Sequence, residues 1–423
     1  MRAGTQGGPK PGAAPSAGSP GAPLGIPALI FLLFLMAFSA VSVDALVPGL
    51  PAIAADYEVS EQAAQSVLSY FVFGAAVGTL LCGMLADRHG RRYPMLIGVS
   101  VYLAASVGCV MSNSLETLTF WRTLQGIGAA VGPTLSATVI GDVYGRNQAA
   151  AMFSKLAGFM AFLPGAMPFI GSWIIVNHDW RGIFILLLCF GLITGIGLLR
   201  YIPETRQRLE SRPPIADYFK AHVRVVTDGP FVMYTLVVGF SFAGLFAYIS
   251  ANSFIVIETL GVPQSLFGFT FLVLPAGFFF GSQFGAVLVK RRGLEPVILL
   301  GCAISLAVSA VSVALSMLGI LSLWVLLAPA FLYTIGVGLV MSNAHVGAMK
   351  SRPMEMATAS GITGCTRLGF GAVAGHLSLE GFGGDALTMV SVMFVCALLA
   401  TATSASIYHS ARSRPAPQLT SGA

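Results

Sequence analysis

Gly83-Met84-Leu85-Ala86-Asp87-Arg88-His89-Gly90-Arg91-Arg92 decides the fold of this chain. The stretch lies where one long apolar run stops and the next has not begun. Each run has the roughly 20 residues that a bilayer-spanning helix needs. Arg88, Arg91 and Arg92 hold the loop on the cytosolic side, following the positive-inside bias. Gly83 and Gly90 allow a tight turn and close helix approach. Asp87 is the odd member, a carboxylate at a helix end among three arginines. A basic stop-transfer loop explains the arginines but not the spacing of Gly and Asp.

Composition agrees with a membrane setting. The chain is 56% hydrophobic and 9% charged, against about 25% charged in soluble domains. Its 49 glycines suit helices that approach closely in lipid. The net charge of +6 marks a cytosolic face, and no nucleic-acid module accompanies it. Cys82, Cys109, Cys189, Cys302, Cys365 and Cys396 lie in or at the ends of apolar runs, without metal-ligand spacing. They read as small core residues, and neither a disulfide nor a metal is implied.

Further out, the chain divides into spans of bilayer length near 26–54, 62–86, 94–112, 115–142, 151–176 and 181–202. Six more follow near 230–257, 264–289, 296–317, 320–345, 355–380 and 385–407. The pattern predicts an all-α integral membrane protein with twelve transmembrane helices in two six-helix bundles, 25–202 and 230–408. Residues 1–24, rich in Gly, Pro, Ala and Ser, read as a disordered cytosolic tail, with no cleavable signal peptide. Residues 203–229 read as a cytosolic linker and 409–423 as a second cytosolic tail. With both termini cytosolic and alternating spans, every Lys and Arg except Arg122, Arg181 and Arg367 falls on the cytosolic side. The opposite loops carry Asp56, Glu58, Glu61, Glu116, Asp179, Glu258 and Asp385. A wrong span count would scramble that asymmetry.

The opening stretch resembles the signature loop between helices 2 and 3 of the major facilitator superfamily, G-x-L-a-D-r-x-G-R-[RK]. Other segments fit in order. Trp121-Arg122-Thr-Leu-Gln125-Gly126 and Asp142-Val-Tyr144 resemble R-x-x-Q-G and the D-x-Y of drug exporters. Pro164-Gly-Ala-Met-Pro168-Phe-Ile-Gly171 resembles the antiporter segment of helix 5. Asp179-Trp180-Arg181-Gly-Ile-Phe184, Pro203-Glu204-Thr205, Ser342-Asn343 and Thr366-Arg367-Leu-Gly369-Phe-Gly371 extend the likeness. Together they look like the Bcr/CflA branch of drug/proton antiporters, over about residues 25–407. Asp44-Ala-Leu46-Val-Pro48 departs from that branch's D-x-Y-L-P, Thr79 stands where a Gln is common, and Met84 replaces a frequent Pro.

An ionisable side chain at bilayer depth costs about 2.5–3.5 kcal/mol on insertion scales, so it needs a partner, water or a function. Asp44 lies roughly 15 Å from the external end of its span and Arg122 roughly 10 Å, at 1.5 Å per residue. Similar depth makes a pair or near-pair sterically possible. The resemblance implies a proton-carrying acid at Asp44. The plainer reading is a residue that caps or kinks the helix before Pro48. Arg122 reads equally as structural or as part of proton coupling. Arg367, near mid-membrane, is open to a structural role or to substrate contact. His345 ends its span near the cytosol, where an interfacial role competes with titration. Lys155 reads as a snorkelling lysine.

In the family the signature loop acts as a latch. The resemblance implies that Gly83, Asp87, Arg88, Gly90, Arg91, Arg92 and Asp142 govern the conformational cycle. Asp87 would sit at the positive end of the eleventh helix near Ala357, and Arg91 or Arg92 would pair with Asp142. Pro164, Pro168 and Gly171 form the antiporter segment. Tyr70, Phe71, Phe246, Tyr248, Asn252 and Tyr333, with Arg367, are the candidate pocket residues; their aromatic character suits an amphipathic, weakly charged solute. A P-loop, a metal-ligand cluster and a nucleophile triad are all missing from the sequence. The expectation is a non-enzymatic, cofactor-free monomer in the bacterial cytoplasmic membrane. It would export drug-like compounds against protons by alternating access. The alternative is proton-coupled or facilitated uptake of a sugar or organic acid.

Overall fold

The computed structural model describes residues 24–205, 215–351, 356–380 and 386–412, and all regular structure there is helical. Helix α1 (Ile26–Asp44) leads through a 3-10 turn, Val47–Gly49, into α2 (Leu50–Asp56). Then come α3 (Glu61–His89), α4 (Arg92–Val110), α5 (Leu115–Ala129), α6 (Val131–Asn177) and α7 (Arg181–Tyr201). After α8 (Ile215–Val226), the second half runs through α9 (Gly229–Ser253), a π-helical turn Phe254–Thr259, α10 (Gln264–Phe271) and α11 (Val273–Arg292). It ends with α12 (Leu294–Met317), α13 (Leu323–Ser351), α14 (Met356–Glu380) and α15 (Ala386–Arg412). Among the described residues, ten helical stretches are long and apolar enough to cross a membrane. The other two expected spans are also helical: a shorter apolar helix, Leu163–Asn177, and α14, whose hydropathy is diluted by Gly, Thr and Arg367.

Helix starts follow side-chain chemistry. Ser60 caps α3 by accepting from the Ala63 N–H at 3.2 Å, and Asp228 caps α9 by accepting from Phe231 at 3.2 Å. Ser114 and Thr117 form a reciprocal capping box on α5. Gly90 and Gly293, both at φ +85°, end α3 and α11. The first and second halves therefore close the corresponding helix in the same way.

Three boundaries differ from the sequence reading. The first span is broken after Asp44, because the Pro48 ring excludes the carbonyl four residues back and supplies no N–H. The seventh ends in the π-helical turn, and the linker contains α8. Third, α6 runs without interruption through the expected break between the fourth and fifth spans. It nevertheless doubles back. Gly132 lies on the Leu35 carbonyl and Gly171 on the Ala45 carbonyl, positions roughly 15 Å apart along α1 at 1.5 Å per residue. A straight helix would separate Gly132 from Gly171 by roughly 58 Å. The Tyr144 hydroxyl donates to the Leu24 carbonyl at 3.3 Å, so the reversal comes after Tyr144.

The two halves repeat one packing scheme. On α3, Gly74 and Gly78 lie on the backbone of Thr123 and Ile127 of α5, and Gly126 returns the contact on the Phe71 carbonyl. On α11, Gly277 and Gly281 lie on the carbonyls of Phe331 and Ile335 of α13, and Gly338 returns the contact on Phe278. Small residues at four-residue spacing let backbones approach in lipid, where apolar burial drives little association.

Between the halves, α3 packs along α14 and α6 along α10. At the end distal to the Gly83–Arg92 loop, Ser69 Oγ donates to the Ala372 carbonyl at 3.1 Å and Gln264 Nε2 to the Pro48 carbonyl at 2.8 Å. Gly268 lies on the Phe169 backbone, and the Phe169 and Phe269 rings meet at 5.1 Å. Closer to the loop end, Gly364 of α14 faces Thr79 of α3. The halves are thus in firm contact at the distal end.

Candidate functional site

Arg122 stands about two turns into α5 and is fully buried. Its guanidinium donates to the Gln125 amide oxygen at 2.6 Å, the Ser42 carbonyl at 3.3 Å and the Val67 carbonyl at 3.4 Å. The Phe71 ring lies 4.1 Å from it and Phe184 5.7 Å. Gln125 passes the network on by donating to Ser106 Oγ at 2.7 Å. Ser106 donates to the Tyr102 carbonyl at 2.7 Å, and the Tyr102 and Ser42 hydroxyls share a 2.7 Å bond. Carbonyl dipoles and aromatic faces therefore satisfy the cation, with no carboxylate involved. The network binds α1, α3, α4, α5 and α7 into one block.

Asp44 terminates α1 at the break. It is half-buried, and among the described residues no ion pair includes it. Arg122 reaches the backbone two residues earlier and does not pair with the Asp44 carboxyl. Nor does Asp44 act as a cap, since the freed turn is closed by the Ala45 N–H on the Val41 and Val43 carbonyls. Gly171 of the Pro/Gly segment fits against this turn. A Cβ there would fall into the Ala45 carbonyl and lie 2.9 Å from Pro48 Cγ. Pro168 and Pro164 lie one and two turns earlier within α6, and a Cβ on Gly165 would lie 3.2 Å from Pro275 Cγ of α11. The segment thus touches both the acidic break and the second half.

At the loop end, Gly90 adopts a left-handed conformation, and a Cβ on it would collide with the Glu204 carboxylate. Glu204 accepts from the backbone N–H groups of Arg91 at 2.8 Å and Arg92 at 3.1 Å. Arg91 Nε donates to Asp142 Oδ2 at 3.1 Å, and Arg92 Nη2 to the Leu199 carbonyl at 2.8 Å. These contacts lie within the first half. Gly83 is half-buried and Arg88 exposed on the last turns of α3. The side chains of Asp87, its expected neighbour Ala357 and Lys155 lie outside what the structure describes.

The candidate pocket residues do not converge. Tyr70 is exposed on α3 together with Phe73 and Leu81. Phe71 is buried on Arg122. Tyr248 points into the interior of the second half beside Ser312, Pro329 and Met389, and Tyr333 is buried against Gly244 and Cys396. Phe71, Tyr248 and Tyr333, all buried within their own halves, are corrections to the pocket reading. Alternating aromatic and aliphatic residues show that a helix is apolar, not which way each ring faces. Asn252 is fully buried, and neither its amide nitrogen nor its oxygen has a hydrogen-bond partner. Phe246 is buried and stacks on Phe242 at 5.8 Å. Arg367 is half-buried with its guanidinium 5.1 Å from the Phe242 ring, and it lies close enough to His345 for their charges to interact.

Sequence reasoning missed Glu204 as the acceptor that organises the loop; Pro203-Glu204-Thr205 carried the signal. It also missed the distal clasp of Asp56, Arg181 and Asp179, where Arg181 Nη1 bonds both carboxylates at 3.1 and 3.0 Å and Trp180 Nε1 donates to Asp56 at 3.1 Å.

Comparison with known proteins gives this architecture its context. The fold matches the xylose transporter XylE from E. coli in a partially occluded inward open conformation, with a TM-score of 0.64, 16% identity, and coverage of 90% of this chain and 96% of that one. A crystal structure of a D-xylose-proton symporter matches equally, with a TM-score of 0.64, 16% identity, and coverage of 88% and 96%. In sequence, the chain is 31% identical to the uncharacterized MFS-type transporter YdgK of Bacillus subtilis, over 88% of this chain and 93% of that protein. It is 27% identical to a bicyclomycin resistance protein homolog of Haemophilus influenzae, over 88% and 94%. Identity is also 27% to multidrug resistance protein D of Escherichia coli, over 89% and 95%. The Major Facilitator Superfamily profile matches residues 32–376. With that match on a helical, multi-pass membrane fold, the chain belongs to the Major Facilitator Superfamily and is a transporter rather than an enzyme.

Proposed function

We propose that this transporter exports amphipathic, weakly charged compounds from the bacterial cytoplasm in exchange for protons, as a monomer working by alternating access. The orientation follows the basic loops: the Gly83–Arg92 end and both termini are cytosolic, and the distal end is external. The two six-helix bundles, 25–202 and 230–408, rock against each other.

Asp44 is the observation that carries the reading. It is half-buried at a helix break, beside the Pro/Gly segment, in a bundle whose buried arginine is satisfied by other groups. A carboxyl so placed can take up and release a proton without breaking an ion pair. The resistance-protein relatives support export, whereas the sugar transporters share the fold alone. Phe242 and Arg367, both half-buried with the guanidinium 5.1 Å from the ring, offer an apolar face and a cation to a solute.

A drug-susceptibility panel containing chloramphenicol, bicyclomycin and ethidium, in a pump-deleted bacterial host, tests the proposal. Expression should raise resistance to at least one compound, and Asp44→Asn at equal membrane abundance should abolish the gain. Unchanged resistance to the whole panel, together with sugar accumulation, would replace export by uptake.

A further inference from the structure

The backbone of the break after Asp44 leaves one carbonyl over. Leu46 accepts from the Gly49 N–H at 2.7 Å, and Val47 accepts from the Leu50 N–H. Gly49 is the N-cap of α2, whose carbonyl takes the first bond of that helix. Between them stands the Pro48 carbonyl. Its donor three residues on would be Pro51, which has no N–H. Pro48 is buried, and buried backbone carbonyls are almost always paired.

The partner comes from the other half. Gln264, the first residue of α10, donates from Nε2 to the Pro48 carbonyl at 2.8 Å. Gly268 follows it by one turn on the same face and lies on the Phe169 backbone of α6. Two residues beyond Phe169, Gly171 lies on the Ala45 carbonyl and the Pro48 ring. Pro48 is thus held twice, at its ring by α6 of its own half and at its carbonyl by α10 of the other. Of the hydrogen bonds between the halves among the described residues, this one alone ends on the turn behind Asp44.

We infer that Gln264 is a positioning residue of the transport cycle: its amide N–H holds the Pro48 carbonyl, and with it the turn behind Asp44, while the external side is closed. The assignment rests on the proposed alternating access and takes its external side from that reading. When the halves part, water replaces the amide at the carbonyl, and a bond to ordered water is nearly as good as a direct one. The exchange is therefore reversible. A movement of the α1 break lengthens the bond, and separation of the halves frees the break. The second half so gains a direct hold on the turn that carries the acid.

The test is a spin-label distance across the distal mouth, from Ala55→Cys on α2 to Thr259→Cys on the π-helical turn, both exposed positions. The six native cysteines are replaced and the full chain is placed in lipid nanodiscs. Gln264→Met has similar length and no donor, and should raise the open-to-closed ratio about two- to tenfold, the range that one hydrogen bond commands. Gln264→Lys keeps a donor and should hold the ratio within about twofold of native. Pro51→Ala supplies the missing backbone N–H, so Gln264→Met should act at least about twofold less in that background. In proteoliposomes, Gln264→Met should slow accumulation of the compound at unchanged affinity. No opening in Gln264→Met, equal opening in Gln264→Met and Gln264→Lys, or an effect undiminished by Pro51→Ala would each overturn the inference and leave proton-coupled export standing. If the distances follow the variants but native protein shows no proton-driven transport, the role of Gln264 stands and the export reading fails.

Discussion

Arg122 is held by three acceptors on three elements, and that arrangement makes a specific demand on substitution. Each buried acceptor left unpaired costs about 1–3 kcal/mol. Arg122→Leu should therefore lower the thermal midpoint in detergent by several degrees. Arg122→Lys should lower it almost as far, since one ammonium cannot span Gln125, Ser42 and Val67 together. A lysine variant with native stability but lost coupling would instead make Arg122 a proton partner. Charges at membrane depth were legible from sequence because they are so costly there: Asp44, Arg122 and Arg367 all stood out. Orientation was not legible. Nothing in the local pattern separates exposed Tyr70 from buried Phe71, or says that Tyr333 turns toward Gly244.

At the scale of elements, the break after Asp44 depends on Pro48 from within and on Gly171 from outside. Gly171→Ala places a Cβ in the Ala45 carbonyl, so α1 or α6 must shift. The same change at Gly141, where a Cβ meets nothing within 4 Å, should be neutral or gain about 0.5–1 kcal/mol of helix stability. Purified yield and thermal midpoint should separate the two variants, with transport lost only in Gly171→Ala. Equal behaviour would remove the Pro/Gly segment from the support of Asp44. Span length and number were readable because bilayer thickness fixes the apolar run. The break itself was less so: Pro48 signalled a disturbance, but its position depends on which carbonyl the ring displaces. The reversal within α6 was foreseen from the polar residues that follow Gly141, although the helix winds on through them.

For the whole molecule, the distal contacts and the loop-end contacts lie at opposite ends of the proposed rocking equilibrium. Glu204 holds the Gly90–Arg92 backbone within the first half, so the loop is a preformed piece that the second half can meet. Glu204→Ala should leave compound binding within about twofold while slowing turnover, because a group remote from the ligand shifts only the balance of states. Asp87→Asn should behave alike, and cysteine labelling from the cytosolic side should rise in both. Fluorescence titration beside transport rates would separate binding from turnover. Unchanged labelling with unchanged transport would reduce the loop to a topological signal. The two-fold scheme of glycine contacts shows how a repeat barely visible in sequence survives in packing: the requirement is close backbone approach, which constrains spacing but few side chains.

Proton coupling at Asp44 is the central claim, and proteoliposomes measure it directly. Vesicles with an acidic interior are given whichever of chloramphenicol, bicyclomycin or ethidium the susceptibility panel identifies, in radiolabelled form. Native protein should accumulate the compound inside while protons leave, and collapsing the pH gradient should stop it. Asp44→Asn should bind the compound and exchange it across the membrane, yet accumulate none against its gradient. Gradient-driven accumulation at the native level by Asp44→Asn would contradict the account and move the proton site to another residue.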